Sequence, residues 1–252
     1  MEPVLLAQLS DLHICDEWEG VEPVAQVERV VEAIRALPNP LDAVLVSGDL
    51  ADDGSLESYA RARELLERLD APIYVLPGNH DDRGRLREAF GLPGAGNEPV
   101  NYTAEVGGLR VVVFDSNVPG RDAGEYSQEQ LRWLDETLRE RPGAPTLLAL
   151  HHPPLPTGVP EWDEINLTAA DREGLAEIVA QHPQLRIIAG GHLHRTAAGA
   201  IGDCAVLSAP SACLQVRPNF EHDEVEFIGP PGFALHVLRD GELSSQVEFL
   251  GS

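Results

Sequence analysis

The 252-residue chain contains no lysine; all 18 of its basic residues are arginine. Without a side-chain amine there can be no Schiff base with a carbonyl substrate or pyridoxal phosphate. The phosphate-touching Lys of a P-loop is missing as well. Cysteine is sparse: Cys15, Cys204 and Cys213 form no C-x-x-C pair. That argues against a disulfide scaffold or a Cys-based zinc site and suits a reducing compartment. Cys15, two residues past His13, reads as a small buried filler rather than a ligand. No apolar run approaches the roughly 20 residues of a membrane span. Met1, Glu2 and Pro3 are followed only by the short apolar run Val4 to Leu9, with no basic region and no small-residue cleavage site. The expectation is a protein without a secretory signal, in the cytoplasm. Positive charge is scarce overall: 18 basic against 42 acidic residues give a net charge of −24. Such a field repels nucleic acid and anionic membranes, which excludes duplex binding and a polybasic anchor. Hydrophobic residues make up 43%, too many for a disordered chain and enough for a sizeable core.

Short apolar runs alternate with helical stretches. Val4–Leu9, Ala43–Val46 and Ile73–Leu76 read as buried strands. Between them, Val24, Val27, Val30, Val31, Ile34 and Leu37 recur at helical spacing up to Pro38, and Ser55 caps a second helix. The β-α-β-α-β order signals a right-handed parallel sheet. Tyr102–Val106 and Leu109–Phe114 flank Gly107-Gly108 as a hairpin. Ser127 and Thr168 start further helices, and Thr146–Leu150 and Leu185–Ala189 are further strands. The segment from His151 to about Asn166 reads as a Pro- and Gly-rich loop, and short strands follow Arg195. With no repeat and no polar linker, residues 1–252 are expected to form one domain with two sheets and helices outside.

Every strand of the parallel kind ends in metal-liking residues. These are Asp11-Leu12-His13, Gly48-Asp49, Gly78-Asn79-His80-Asp81, His151-His152 and Gly191-His192-Leu193-His194. Loops after the carboxyl ends of strands in an open α/β sheet converge on one crevice. Any one cluster reads equally well as an ordinary turn; five of them, each just after a strand, do not. Imidazole with carboxylate and amide oxygen, and no thiolate, suits Mn, Fe, Co, Ni or Zn. Two Asp, one Asn and four His are too many donors for one tetrahedral ion. They suit two ions sharing a carboxylate, about 3.5–4 Å apart.

In this order the motifs resemble those of the calcineurin-like metallophosphoesterases, from Asp11 to His194. Within that family "HHPPLPTG", "PSACLQ" and "PPGFALH" look like the bacterial class III cyclic nucleotide and glycerophosphodiester phosphodiesterase branch. The resemblance implies an α/β fold, a four-layer α/β/β/α sandwich with two mixed β-sheets. It implies two divalent or trivalent transition-metal ions (Mn, Fe, Zn or Co). Asp11, His13 and His194 would hold the first ion, Asn79, His151 and His192 the second, and Asp49 would bridge them. Asp49 and His80 would be catalytic, and His13, Asn79 and His194 would also meet the substrate. His80 would face the phosphate; Asp81 would orient His80, and His152 would lie behind the ligands or line the pocket. Two dications, two carboxylates and a bridging hydroxide leave about +1, a match for a phosphodiester monoanion attacked in line. His80 would stabilise or protonate the leaving alkoxide.

The expected substrate is a small phosphodiester, a 3′,5′-cyclic nucleotide such as cyclic AMP or a glycerophosphodiester, with no nucleic acid duplex and no membrane as partner. The resemblance is also compatible with a homo-oligomer. The alternative is a phosphomonoesterase or protein phosphatase of the superfamily; protein phosphatases of that kind carry an Arg soon after the second-strand Asp, whereas Asp52 and Asp53 stand here. A DNA nuclease is disfavoured by charge. A catalytically dead scaffold would have lost ligands, and all seven positions are filled. Trp162 and Asp163, or Gln215, Arg217 and Phe220, are candidates to line the leaving-group pocket. The alternative is that Trp162 and Phe233 cover the core. The acidic run Glu221–Glu226 reads as a solvated face.

Overall fold

A computed structural model describes residues 2–221 and 225–251. The first third runs β1 (Val4–Leu9), α1 (Pro23–Arg35), β2 (Ala43–Ser47), α2 (Leu56–Glu67), β3 (Ile73–Leu76) and α3 (Arg83–Phe90). The middle adds β4 (Tyr102–Val106), β5 (Leu109–Val113), α4 (Gln128–Glu140), β6 (Thr146–Ala149), α5 (Pro160–Glu164), α6 (Ala169–Val179) and β7 (Leu185–Gly190). The last part consists of β8 (Ala197–Ile201), β9 (Cys204–Ser208), β10 (Gln215–Arg217), β11 (Glu226–Ile228), β12 (Gly232–Arg239) and β13 (Glu242–Phe249). One sheet has the order β13-β12-β1-β2-β3 and the other β4-β5-β6-β7-β9-β8, with β10 and β11 paired separately. Both large sheets are mixed. β1, β2 and β3 are parallel with β12 antiparallel, and β5, β6, β7 and β9 are parallel with β4 and β8 antiparallel.

Alternation along the strands builds the layers. Val4 and Leu6 of β1 point between the sheets and meet Val111, Leu147 and Ile187, while Ala7 and Leu9 point to the helices α1 and α2. The outer face of the second sheet packs Val112, Leu148 and Ile188 on Leu134 and Leu138 of α4 and Leu175 of α6. The result is a four-layer α/β/β/α sandwich. Each fully buried Val or Leu in these layers contributes about 2 kcal/mol. Gln8 sits among the apolar residues between the sheets, and its amide donates to Ser47 Oγ at 2.7 Å and across the layer to the Gly190 carbonyl at 2.8 Å.

The structure departs from the sequence reading at a few places. Helix α1 ends at Arg35, with Ala36 as its cap, because residues ahead of Pro38 are driven out of helical geometry. Helix α3 was unexpected, and so was the short α5 within the Pro-rich loop. β12 and β13, at eight residues each, are longer than foreseen. The carboxyl ends of the parallel strands of both sheets meet at one end of the molecule. There the Gly191 N–H donates to the His151 carbonyl and the Ala212 N–H to the Ser10 carbonyl.

Candidate metal centre

Five of the seven expected ligands lie in left-handed backbone geometry: Asp11 (φ 53°), His13 (φ 46°), Asp49 (φ 50°), His192 (φ 68°) and His194 (φ 46°). This region costs a non-glycine residue about 1 kcal/mol or more and persists only where its surroundings enforce it. Backbone bonds do so here. Asp11 N–H donates to the Gly48 carbonyl and His13 N–H to that of Asp49, while His192 N–H donates to the Asp11 carboxylate at 3.0 and 3.1 Å. Close approach matters at Gly78, where a Cβ would sit 2.2 Å from Asp49 Oδ1, and at Gly191, where it would sit 1.8 Å from Ser10 Oγ.

The imidazoles are turned by their outer nitrogens. His13 Nδ1 donates to Asp52 Oδ1 (3.0 Å), His151 Nδ1 to the Ser47 carbonyl (2.8 Å) and His194 Nδ1 to the Leu214 carbonyl (3.0 Å). Each ring therefore turns its Nε2 to the interior. His13 Nε2 and His194 Nε2 face each other at 3.0 Å, with Asp49 Oδ2 3.7 Å from the first and Asp11 Oδ1 3.7 Å from the second. His151 Nε2 lies 3.1 Å from Asn79 Oδ1 and 3.3 Å from Asp49 Oδ2, and His192 Nδ1 lies 3.1 Å from the same Asn79 oxygen. His192 Nε2 is buried without a hydrogen-bond partner. His13 and His194, neutral and donating from Nδ1, set two bare Nε2 atoms 3.0 Å apart, and such acceptors repel one another unless a cation joins them. This donor set therefore fits metal ions. Among the described residues three groups have donor atoms within 4.8 Å of one another, Asp11-His13-Asp49-His194, His151-His152-His192 and His13-Asp52-His80.

Burial keeps His13 and His192 below the ordinary imidazole range and lowers His194 to about 4. The neutral ring is the form that binds metal. Burial raises Asp11 to about 6, with the Asp49 charge adding to it. Burial opposes the charge on Asp49 too, yet His151 and His13 hold that carboxyl well below the usual range. Burial likewise disfavours charge on His151, but the Asp49 carboxylate outweighs it and raises the ring to about 9. The pocket is thus poised to accept positive charge.

His80 stands at the edge of this cluster, 37% exposed at its side chain, its Nδ1 3.2 Å from Asp52 Oδ1. Its backbone N–H donates to Asp49 Oδ1 at 2.9 Å. Burial opposes protonation of the ring, but the Asp52 hydrogen bond and the Asp49 charge raise it to about 9. The expectation that Asp81 orients His80 is corrected. The Asp81 carboxylate is spent on the N–H groups of Leu50, Ala51 and Gly78 and on the Tyr59 hydroxyl, at 2.9 to 3.2 Å. It braces the loops after β2 and β3, and Asp52 orients His80 instead. His152 lies behind His192, its ring nitrogens bonded to Ser116 Oγ and the Asp122 carbonyl, both at 2.8 Å. Neither nitrogen is left for an ion.

A cleft of about 320 Å³ opens over the cluster. Its floor includes His13, Asp49, Asn79, His80, His192 and His194, and Trp18, Trp162 and Phe227 stand in its walls. Trp162 also packs in a small core with Val159, Leu193 and Val216, and Phe233 is core alone. Asp163 accepts the Thr157 and Gly158 N–H groups, Gln215 donates to the Ser211 carbonyl, and Arg217 pairs with Glu226 at 2.8 Å. None of these three lines the cleft, and Phe220 borders a separate groove. Glu221 and Glu226 are exposed; the rest of that acidic run reaches outside the described residues. Cys15 is half-exposed, not buried, and its thiol donates to the Glu17 carbonyl. Trp18 and Asp52 carry no motif signal of their own, and only the fold brings them to the site.

The family model described as Calcineurin-like phosphoesterase matches residues 4–196. The chain belongs to the calcineurin-like phosphoesterase family. Among its relatives is the "3′,5′-cyclic adenosine monophosphate phosphodiesterase CpdA" of Pseudomonas aeruginosa, 32% identical over 97% of this chain and 89% of that protein. Another is the "Probable glycerophosphodiester phosphodiesterase GpdQ" of Arcobacter nitrofigilis, 30% identical over 98% and 94%. A solved "dimetal phosphatase" from Danio rerio shares the fold at a TM-score of 0.74 and 16% identity, covering 98% of this chain and 96% of its own. For this calcineurin-like phosphoesterase no helix among the described residues is long and apolar enough to cross a membrane.

Proposed function

We propose that this chain is a binuclear-metal phosphodiesterase acting on small phosphodiesters, cyclic nucleotides or glycerophosphodiesters. The observation that carries the reading is the convergence of bare Nε2, carboxylate and amide oxygens from five strand-end loops, with His80 beside them. Asp11, His13 and His194 would hold one ion and Asn79, His151 and His192 the other, with Asp49 shared. Mn, Fe, Zn and Co all suit these donors. When bound, the ions supply positive charge against the phosphoryl oxygens and make a water acidic enough to lose its proton near neutral pH.

The chain's own residues do the rest. Asp52 holds His80 by Nδ1, which leaves Nε2 to the cleft. Held charged by Asp52 and Asp49, that nitrogen donates to the phosphate and passes its proton to the departing alkoxide. Asn79 turns its oxygen to His151 and His192 and keeps its amide N–H₂ for a phosphoryl oxygen. No Arg is among the described residues lining the cleft. Asp52 is occupied with His13 and His80, and Asp53 with the Ser55 N–H. A singly charged diester fits such a site better than a dianionic monoester. The relatives' names agree with this reading.

With Mn²⁺ added, the purified chain is expected to hydrolyse bis(p-nitrophenyl) phosphate much faster than p-nitrophenyl phosphate, with two ions per chain by metal analysis. Cyclic AMP, cyclic GMP and glycerophosphoethanolamine, assayed side by side, would rank the substrates. A folded chain that turns over neither nitrophenyl ester would overturn the reading.

A further inference from the structure

The wall of the cleft differs in character from its floor. Trp18 lies flat on His13, ring centroids 4.2 Å apart and planes 5° apart. It is tilted by 37° over His194 at 5.3 Å and meets Phe227 edge-on at 4.9 Å. A rigid turn presents it there. Trp18 and Val21 exchange both backbone hydrogen bonds at 3.0 Å, across Glu19 (φ 48°) and Gly20 (φ 76°). Two successive left-handed residues make the tight two-residue turn that fixes a short hairpin. Trp18 belongs to none of the hydrophobic clusters formed by the described residues, whereas Trp162 packs with Val159, Leu193 and Val216. Filling a core does not account for a tryptophan at this place. A large flat ring, half-exposed and clamped beside two candidate ligands, is a surface made to be covered.

We propose that Trp18 is a specificity-determining residue, the wall against which the cleft takes a planar ring in the group attached to the phosphate. The inference rests on the phosphodiesterase reading above and narrows its substrate class to diesters with a flat heteroaromatic group, as nucleotides have. A diester with phosphorus over His13, Asp49 and Asn79 has Trp18 and Phe227 within the same cleft, and Trp18 is the ring stacked directly on His13. A polyol gains little from an aromatic face, because its hydroxyls lose water without finding partners. A flat ring gains stacking, worth about tenfold or more in binding.

The test compares two substrates with the same scissile bond and leaving oxygen: cyclic AMP and its base-free analogue, 1-deoxyribose 3′,5′-cyclic phosphate. The Mn²⁺-loaded wild type is expected to favour cyclic AMP by at least about tenfold in kcat/KM. In Trp18→Leu that preference should fall to within about threefold of unity, carried mainly by KM, and Trp18→Phe should keep most of it. A wild-type ratio near one would overturn the proposal. So would a Trp18→Leu variant that loses rate on both substrates in equal proportion, the mark of a prop for His13 and nothing more. A second measurement reads binding without turnover. Adenosine monophosphate should change the tryptophan emission of the wild type far more than that of Trp18→Leu, which keeps Trp162 in the cleft, and ribose 5-phosphate should change neither; an equal response to both ligands, to neither, or in both proteins, also counts against the wall. If no diester is hydrolysed while the emission response stays selective, the phosphodiesterase reading fails and the ring-binding wall stands. If both cyclic phosphates are hydrolysed equally well, the wall fails and the phosphodiesterase reading stands.

Discussion

Asp52 offers one carboxylate oxygen to two imidazoles, His13 Nδ1 at 3.0 Å and His80 Nδ1 at 3.2 Å. It thus orients a candidate ligand and the candidate acid together. Its two hydrogen bonds from these rings hold its own carboxyl well below the usual range. In Asp52→Asn the side-chain oxygen remains but the charge goes, so the His80 proton is held less firmly. An acid works below its pKa, so the falling limb of the pH–rate profile should move to lower pH. Turnover of alkyl diesters should drop by about tenfold or more, with less effect on nitrophenyl diesters, whose leaving groups need no proton. Identical pH profiles for wild type and variant would refute this role. In the sequence Asp52 is visible only as the residue that replaces a phosphatase arginine. Asp11, Asp49 and the four histidine ligands were legible because each stands within a few residues after an apolar run. Asp52 acts through where its side chain folds, which spacing does not encode.

Among the elements, the loops after β1, β2, β3, β6 and β7 carry the site, and their backbones are bent to let side chains pack together. Gly191 follows β7, and a Cβ there would lie 1.8 Å from Ser10 Oγ and 2.9 Å from Asp11 Oδ2. Gly191→Ala should therefore lower stability by about 1–3 kcal/mol and weaken metal retention, as thermal melting and metal analysis would show. A variant with unchanged melting and full metal content would show that the close approach can relax. Helix α3 shows the opposite case, an element hidden from the apolar pattern. Its sequence, Arg-Gly-Arg-Leu-Arg-Glu-Ala-Phe, has only a short apolar stripe, Leu86, Ala89 and Phe90, and its buried residues include Arg83 and Arg87. Arg83 pairs with Asp115 at 2.7 Å, and Arg87 donates to the carbonyls of Pro93, Gly96, Glu98 and Pro99. Three apolar residues pack on the core of the first sheet, while the arginines are buried through hydrogen bonds to partners far along the chain or in a loop, so hydrophobic periodicity is too brief to reveal the helix. The local signals were Asp82, which caps it by accepting from the Arg85 N–H at 2.8 Å, and Gly91, left-handed at φ 65° just past its end.

At the scale of the whole molecule a buried polar chain ties the layers. His236 of β12 approaches Gln8 Oε1 at 2.9 Å and Ser245 Oγ at 2.7 Å, and Gln8 reaches the second sheet through Gly190. Burial lowers His236 to about 4. Between roughly pH 6.5 and 4 the unfolded chain takes up a proton that the folded one refuses. Stability is therefore lost as pH falls through that window, by about 3 kcal/mol. Asp11 and Asp81, raised to about 6 and about 7, act with the opposite sign. The clean measurement is the difference between wild type and His236→Gln, which should shrink by that amount from pH 7 to pH 4. A pH-independent difference would refute it. Mn²⁺ at 100 times its dissociation constant should stabilise the wild type by about 2.7 kcal/mol and Asp49→Ala far less, read by denaturant unfolding. Equal stabilisation of both would place the ions elsewhere. The sequence by itself determined the alternation of strands and helices, the two-sheet class and the loops that carry metal-liking residues, because apolar period, caps and turns are local physics. Only the tertiary structure decided that Asp52, not Asp81, holds His80, that His152 turns both nitrogens away, and that Trp18 walls the cleft. Those facts depend on side chains from distant segments competing for the same donors and the same space, and no spacing along the chain records the outcome.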